Sequence, residues 1–207
     1  MDLVEESVAL RGVALHVLRP RDAEALLDEH AFEHEEYLPY WAELWPSGVA
    51  LARRVAVRAL RGARVLELGC GLGLPSLAAA LAGGRVLATD WSPQAIELLE
   101  GNAARNDAPL ETAIVDWASP ETIVERAPWD LVLAADVLYE RRNVPLLLGL
   151  LPQLLDERGE VWLADPGREP AGELLEGLAD GWKRHDEADG RVAVHRLMRT
   201  AVPSASE

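Results

Sequence analysis

Four acidic residues stand at or near the ends of short apolar runs in the middle of the chain, namely Glu67, Asp90, Asp116 and Asp136. The first of them precedes three alternate glycines, Gly69, Gly71 and Gly73, in the stretch VLELGCGLGLPSL. Carboxylates can accept hydrogen bonds from the hydroxyl and amino groups of a ligand, and glycine lets the backbone approach a ligand closely. We therefore expect a site for a small polar ligand where these segments meet.

The elements that position these residues follow from a regular alternation of short apolar runs and longer helical patterns. The pattern predicts five strands, at 63–69, 85–90, 111–117, 129–137 and 159–166, with helices between and after them. Hairpins are predicted at 7–20, turning at Arg11-Gly12, and at 182–200, turning at Asp189-Gly190. The fold class is therefore α/β: a Rossmann-like, doubly wound, seven-stranded and mostly parallel sheet with an antiparallel C-terminal hairpin. A β-hairpin and a helix form an N-terminal extension.

The chain divides into three parts on this interpretation. Residues 1–46 form an N-terminal hairpin and a helical lid segment, the helix covering 22–37, and residues 47–200 form the ligand-binding domain. Ser47 is a candidate cap for a helix over 47–60. Residues 201–207 are predicted to be a disordered tail.

Composition excludes several classes of protein. The formal net charge of −15 argues against nucleic acid as a partner, because such binding depends on clustered Lys and Arg. Cys70 is the single cysteine, so neither an intramolecular disulfide nor a cysteine-based zinc site is possible, and we expect a cytoplasmic protein. No apolar run is long enough to cross a membrane, and we expect no membrane partner. We expect a monomer or a weak dimer.

The glycine stretch does not match the dinucleotide fingerprint G-x-G-x-x-G. Leu74 or Ser76 stands where the last glycine is needed, depending on the register. A nicotinamide-dependent oxidoreductase is therefore disfavoured.

The stretch resembles instead the E/D-x-G-x-G-x-G loop of class I S-adenosylmethionine-dependent methyltransferases. That resemblance implies S-adenosyl-L-methionine as cofactor, with S-adenosyl-L-homocysteine as product. It assigns to cofactor binding Trp45, Glu67, Gly69, Gly71, Gly73, Asp90, Trp91, Asp116, Trp117 and Ala135. Asp90 would accept the ribose hydroxyls, although it could also begin the turn to Ser92-Pro93, and Asp116 would accept the adenine amino group.

The fourth strand is followed by D-x-x-Y, formed by Asp136 and Tyr139. This is similar to the [DE]-x-x-[YF] signature of the protein lysine methyltransferases called methyltransferase family 16. The segment PYWAELWPSGVALAR and the later LADPGR resemble the branch that methylates the electron transfer flavoprotein β subunit. The resemblance covers residues 40–168 and implies an N-methyltransferase acting on an exposed lysine of a protein substrate.

The same resemblance distributes the catalytic roles. Asp136 would orient the acceptor amine, and Tyr139 would shape its channel together with Tyr40, Trp41 and Trp45. Trp41 and Trp45 could instead be a core stripe, since they are four residues apart. Glu43 would help to recruit a basic substrate, or is an ordinary surface acid.

Three alternatives remain open at this point. The enzyme could methylate a small-molecule amine, or the chain could be a non-catalytic cofactor-binding protein of the same fold. His30 and His34 also spell H-x-x-E-H, a zinc-peptidase motif, but no acidic ligand helix follows it, and we expect no metal site.

Overall fold

The computed structural model describes residues 1–23, 26 and 39–200. Two antiparallel strands, β1 (Leu3–Leu10) and β2 (Val13–Pro20), form the N-terminal hairpin. Seven strands form the main sheet: β3 (Arg64–Leu68), β4 (Arg85–Asp90), β5 (Glu111–Ile114), β6 (Leu131–Ala135), β7 (Glu160–Asp165), β8 (Trp182–Asp189) and β9 (Val192–Arg199). Both predicted hairpins are confirmed.

The main sheet has the strand order β5-β4-β3-β6-β7-β9-β8. The pairs among β3 to β7 are parallel, whereas β9 is antiparallel to both of its neighbours. The predicted mostly parallel, seven-stranded sheet with an antiparallel C-terminal hairpin is therefore confirmed. The order reverses at β3, which lies between β4 and β6, so the loops after β3 and β6 diverge and leave a crevice between them.

Helices cover both faces of the sheet. They are α1 (Pro46–Val55), α2 (Leu74–Leu81), α3 (Pro93–Arg105), α4 (Glu121–Val124), α5 (Asn143–Leu154) and α6 (Glu169–Gly177). Alternation along β6 shows the two layers, because Leu131 and Leu133 join one core cluster while Val132 and Ala134 join the other. The near-continuous apolar character of the strands is explained by this double burial.

The helix before the sheet differs from the prediction. Helix α1 begins at Pro46 and ends at Val55, five residues before the predicted end. Pro46 takes the first helical position, for which its fixed φ is suited, so Trp45 is the cap residue and Ser47 is not. The predicted helix at 22–37 falls almost entirely outside the described residues, as does the predicted tail at 201–207.

Candidate active site

A cavity of about 1000 Å³ lies at the carboxyl ends of the strands, where the strand order reverses. Every site residue predicted from the sequence lines it: Tyr40, Trp41, Glu43, Trp45, Glu67, Gly69, Gly71, Gly73, Asp90, Trp91, Asp116, Trp117, Ala135, Asp136 and Tyr139. Parallel strands bring their carboxyl ends to one edge, which is why residues so distant in sequence meet here. The volume suits a nucleoside-sized ligand with room for a second group.

The glycine loop after β3 owes its shape to close approaches by other parts of the protein. Gly69, Gly71 and Gly73 have φ values of 65°, 49° and 76°, a region that other residues rarely adopt. A Cβ at Gly71 would lie 3.2 Å from the carbonyl oxygen of Trp41. The loop is therefore pinned against the segment before α1, and its glycines serve packing as well as any ligand.

Glu67 is buried below this loop. One oxygen of its carboxyl group accepts a hydrogen bond of 2.9 Å from the backbone N–H of Ser76, in the first turn of α2. Burial raises the pKa of Glu67 to about 8, and the hydrogen bonds from Ser76 oppose that rise. Glu67 thus connects the start of α2 to β3, the two elements that the glycine loop joins.

The raised pKa of Glu67 predicts a pH dependence of stability. Between the ordinary value of 4.5 and about 8, the folded protein keeps a proton that the unfolded chain loses, so the free energy of unfolding falls as pH rises. Glu67→Gln carries no titrating proton. Relative to wild type, we expect it to gain on the order of 1 kcal/mol of stability per pH unit across this window. Urea unfolding of both proteins at about pH 5, 7 and 9 measures this difference in stability. A difference that is the same at all three pH values would contradict a raised pKa of Glu67.

Asp90, at the end of β4, makes two hydrogen bonds to backbone groups. One carboxylate oxygen accepts from the N–H of Gly71 at 2.9 Å, and the other accepts from the N–H of Ser92 at 3.0 Å. Burial raises the pKa of Asp90, and these backbone donors oppose the rise. The alternative that Asp90 begins the turn into α3 is therefore correct. It does not exclude ribose binding, because each carboxylate oxygen can accept a further hydrogen bond.

The rim beyond Asp90 combines apolar rings with an exposed acid. Trp91 and Ile114 are 43% and 57% exposed, so large apolar surfaces face solvent beside the cavity. Asp116 is exposed and accepts a hydrogen bond of 2.8 Å from the N–H of Ala118, and the ring of Trp117 approaches Gly69. Such a slot suits a flat, partly polar ring. Sequence reasoning missed Ile114, although an apolar residue near the end of a strand was a usable signal.

Asp136 follows β6 in a left-handed conformation, with φ at 61°. Its backbone N–H donates to the carbonyl oxygen of Ala164 at 2.9 Å, and its buried carboxylate forms an ion pair with Arg168. Arg168 also lies 3.2 Å from a carboxylate oxygen of the fully buried Asp165. Sequence reasoning did not place Arg168 in the site, although it closes the LADPGR segment.

Three aromatic side chains form a group beside Asp136, which we call the aromatic group: Tyr40, Trp45 and Tyr139. The ring of Tyr40 lies 4.9 Å from that of Tyr139 and 6.3 Å from that of Trp45. The indole N–H of Trp45 donates to the carbonyl oxygen of Tyr40 at 2.7 Å. Burial raises the pKa of Tyr139 to about 12, so its phenol stays protonated at neutral pH.

The alternative that Trp41 and Trp45 form a core stripe is only partly right. Trp41 lies in a 3-10 helix (Tyr40–Ala42) and packs against the core, while also lining the cavity. Trp45 precedes α1 and belongs to the aromatic group, so the two side chains do not share a helix face.

Two negative findings concern only the part of the chain that the structure describes. Within residues 1–23, 26 and 39–200, no three acidic, histidine or cysteine side chains form a group that could hold a metal. None of the helices in these ranges is long and apolar enough to cross a membrane. His30 and His34 of the H-x-x-E-H motif lie outside the described residues.

Comparisons with known proteins agree with this geometry. A lysine methyltransferase of the electron transfer flavoprotein β subunit from Danio rerio is 36% identical over 81% of this chain and 60% of its own length. Its counterpart from Xenopus laevis is 37% identical over 63% of this chain and 53% of its own length. The chain thus spans less than two thirds of the length of these relatives. The crystal structure of a ribosomal protein L11 methylase from Lactobacillus delbrueckii is 27% identical, with a TM-score of 0.58, over 72% of this chain and 77% of that one.

The family model described as lysine methyltransferase matches residues 32–173, which is more than half of the chain. This match spans the glycine loop, Asp90 at the end of β4, the acids that follow β5 and β6, and Arg168. The chain therefore belongs to the lysine methyltransferase family.

Proposed function

We propose that this protein is an S-adenosylmethionine-dependent N-methyltransferase that modifies lysine side chains of a protein substrate. The observation that carries the proposal is that one cavity joins a nucleoside-sized slot to a buried carboxylate, that of Asp136, beside the aromatic group. Family membership supports the same reaction class.

The residues of the slot fit S-adenosylmethionine. Asp90 would accept the ribose hydroxyls, Trp91 and Ile114 would cover the adenine, and Asp116 would accept its amino group. Gly69, Gly71 and Gly73, with Glu67 beneath them, would shape the floor for the amino acid end. Trp117 and Ala135 complete the wall. When bound, the cofactor would supply an electrophilic methyl group to the lone pair of the acceptor amine, with the S–C electron pair left on sulfur.

The residues around Asp136 would handle the acceptor. Asp136 would orient the amine, and Tyr40, Trp45 and Tyr139 would line its path, with Trp41 behind them. Tyr139 is not a general base, because its phenol keeps its proton at neutral pH. Exposed Glu43 would favour a basic segment of the substrate. Proton loss from the amine would then go to water.

The ring of Tyr139 provides a test of this channel. Tyr139→Ala removes an aromatic face available for cation–π contact with the substrate ammonium on its way to Asp136, so we expect the KM for the protein substrate to rise about tenfold. Tyr139→Phe keeps the ring and its contact with Tyr40, and its KM should stay within about twofold of wild type. Steady-state kinetics of both variants measures these KM values. Equal changes of KM in the two variants would contradict a role for the Tyr139 ring in the channel.

Four further expectations belong to this proposal. A protein substrate is favoured over a small-molecule amine by the net charge of −15 and by the exposed aromatic rings at the cavity mouth. We propose a cytoplasmic protein, because its single cysteine fits a reducing compartment, and a monomer or weak dimer. The division at residues 46 and 200, with 1–46 as a lid and 201–207 as a tail, stays a prediction.

Two experiments test the proposal. S-adenosylhomocysteine should raise the melting temperature of the protein and NAD should not, which separates this site from a dinucleotide site. The protein is then incubated with methyl-labelled S-adenosylmethionine and a cell extract that lacks it. Label in a protein fraction is expected. Label confined to small molecules would instead favour a small-amine enzyme, and cofactor binding without any label would favour a non-catalytic protein.

A further inference from the structure

Arg168 is held next to Asp136 by contacts at both of its ends. Its guanidinium pairs with the carboxylates of Asp136 and Asp165, while its backbone N–H donates to Asp165 at 2.7 Å. The N–H of Gly167 donates to the same oxygen of Asp165, also at 2.7 Å. The carboxylate of Asp165 is fully buried at the end of β7, so this cation is anchored to the sheet.

This arrangement bears on a difficulty in the proposed reaction. A lysine amine must lose a proton before it can attack, since its ordinary pKa is about 10.4. A nearby carboxylate stabilises the charged ammonium and so opposes that loss. Asp136 alone would therefore hold the acceptor in its unreactive form.

We propose, on the basis of the proposed function, that Arg168 is a positioning residue whose positive charge offsets the negative charge of Asp136. The Asp136 carboxylate then receives the acceptor amine in its neutral form. One carboxylate oxygen then accepts an N–H of the amine, and the nitrogen lone pair stays free for the methyl carbon. The ammonium gives up its first proton to water, and the methylated nitrogen releases another to water after transfer. No oxidant or further reactant is needed.

Other titratable groups line the same cavity, and they are unchanged in every variant used in the test. The loop after β6 contributes Tyr139, Glu140 and Arg142, of which Glu140 and Arg142 pair with each other. Other elements contribute Tyr40, Glu43, Glu67, Cys70, Asp90 and Asp116. Asp165 also contacts Arg168 and is unchanged in these variants, so a change in pH dependence on replacement of Arg168 reports the loss of that cation and its effect on the Asp136 and Asp165 carboxylates.

The test measures the initial rate of protein labelling in the extract against pH, at saturating S-adenosylmethionine. In Arg168→Met we expect the acid limb of the profile to move up by about one pH unit, because Asp136 then stabilises the ammonium. The rate near neutral pH should fall about tenfold as a result. Arg168→Lys keeps a cation beside Asp136, and its acid limb should return towards that of wild type.

Two controls separate this role from a structural one. Arg141→Met also removes an arginine paired with carboxylates, those of Glu169 and Glu173 on α6, but Arg141 does not line the cavity, so the profile should not change. S-adenosylhomocysteine affinity should stay within about twofold in all variants. A uniform loss of rate at every pH in Arg168→Met, or no change, overturns the inference. Absence of protein labelling by wild type overturns the proposed function itself.

Discussion

Replacing Asp136 by asparagine should lower the rate of methyl transfer by about a hundredfold or more while leaving S-adenosylhomocysteine affinity within about twofold. The amide keeps the shape of the side chain but loses the charge that pairs with Arg168, and one of its two acceptor oxygens is replaced by an NH2 donor. Asparagine also tolerates the left-handed backbone found here, at φ 61°. The labelling rate and a binding titration on the same preparation measure the two quantities.

Asp136→Ala should be at least as inactive, with an added loss of stability, because alanine disfavours that backbone conformation. The matched control is Asp107→Asn, which changes another left-handed acid, at φ 50°, away from the cavity. It should leave both rate and affinity unchanged. Loss of S-adenosylhomocysteine binding in Asp136→Asn would move Asp136 into the cofactor site and contradict its assigned role.

Gly73→Ala should destabilise the protein by about 2 to 4 kcal/mol, by adding backbone strain and overpacking at one position. The new Cβ would lie 2.1 Å from Cδ1 of Leu99, a fully buried residue of α3, and the φ of 76° is unfavourable for alanine. Either the glycine loop or the buried side chain of Leu99 must shift to relieve the overlap. We therefore also expect the affinity for S-adenosylhomocysteine to fall about tenfold or more, from an estimated 1.4 kcal/mol or more of lost binding.

Chemical unfolding and a binding titration measure these two effects. Gly101→Ala is the control, because Gly101 lies in α3 with open space around its position for a Cβ. That substitution should stabilise the helix by about 0.5 to 1 kcal/mol and leave binding unchanged. If Gly73→Ala were as stable as wild type, the packing account of the glycine loop would be wrong.

The sheet was predictable because local signals mark each of its elements. Ser92 and Pro93 open α3, as their residue types favour, and the side chain of Ser92 accepts a hydrogen bond from the N–H of Ala95. The apolar runs of β3, β4, β6 and β7 are short and are separated by Gly, Pro and helical patterns, which fixes their type. Since parallel strands share one edge, the meeting of Glu67, Asp90, Asp116 and Asp136 followed from their positions alone.

The remaining features depend on contacts between distant parts of the chain. The pairing of Asp136 with Arg168 joins the ends of two different strands, and nothing in the local sequence of either reports it. The sequence favours the interpretation that Gly71 and Gly73 leave room for a ligand. In the structure, a Cβ added at these positions would meet Trp41 and Leu99, respectively. The predicted start of α1 was wrong for a local reason. Ser47 and Pro46 are both acceptable residues at the beginning of a helix, and the sequence pattern does not choose between them.

If the proposed function is right, the methyl group reaches the side-chain nitrogen of lysine in a protein. To check this, extract protein labelled from methyl-labelled S-adenosylmethionine is hydrolysed completely, and the labelled amino acid is identified. Asp136→Asn enzyme serves as the blank. We expect the label in methylated lysine, and only with wild-type enzyme. Label in methylarginine or methylhistidine, or label confined to small molecules, would contradict the account.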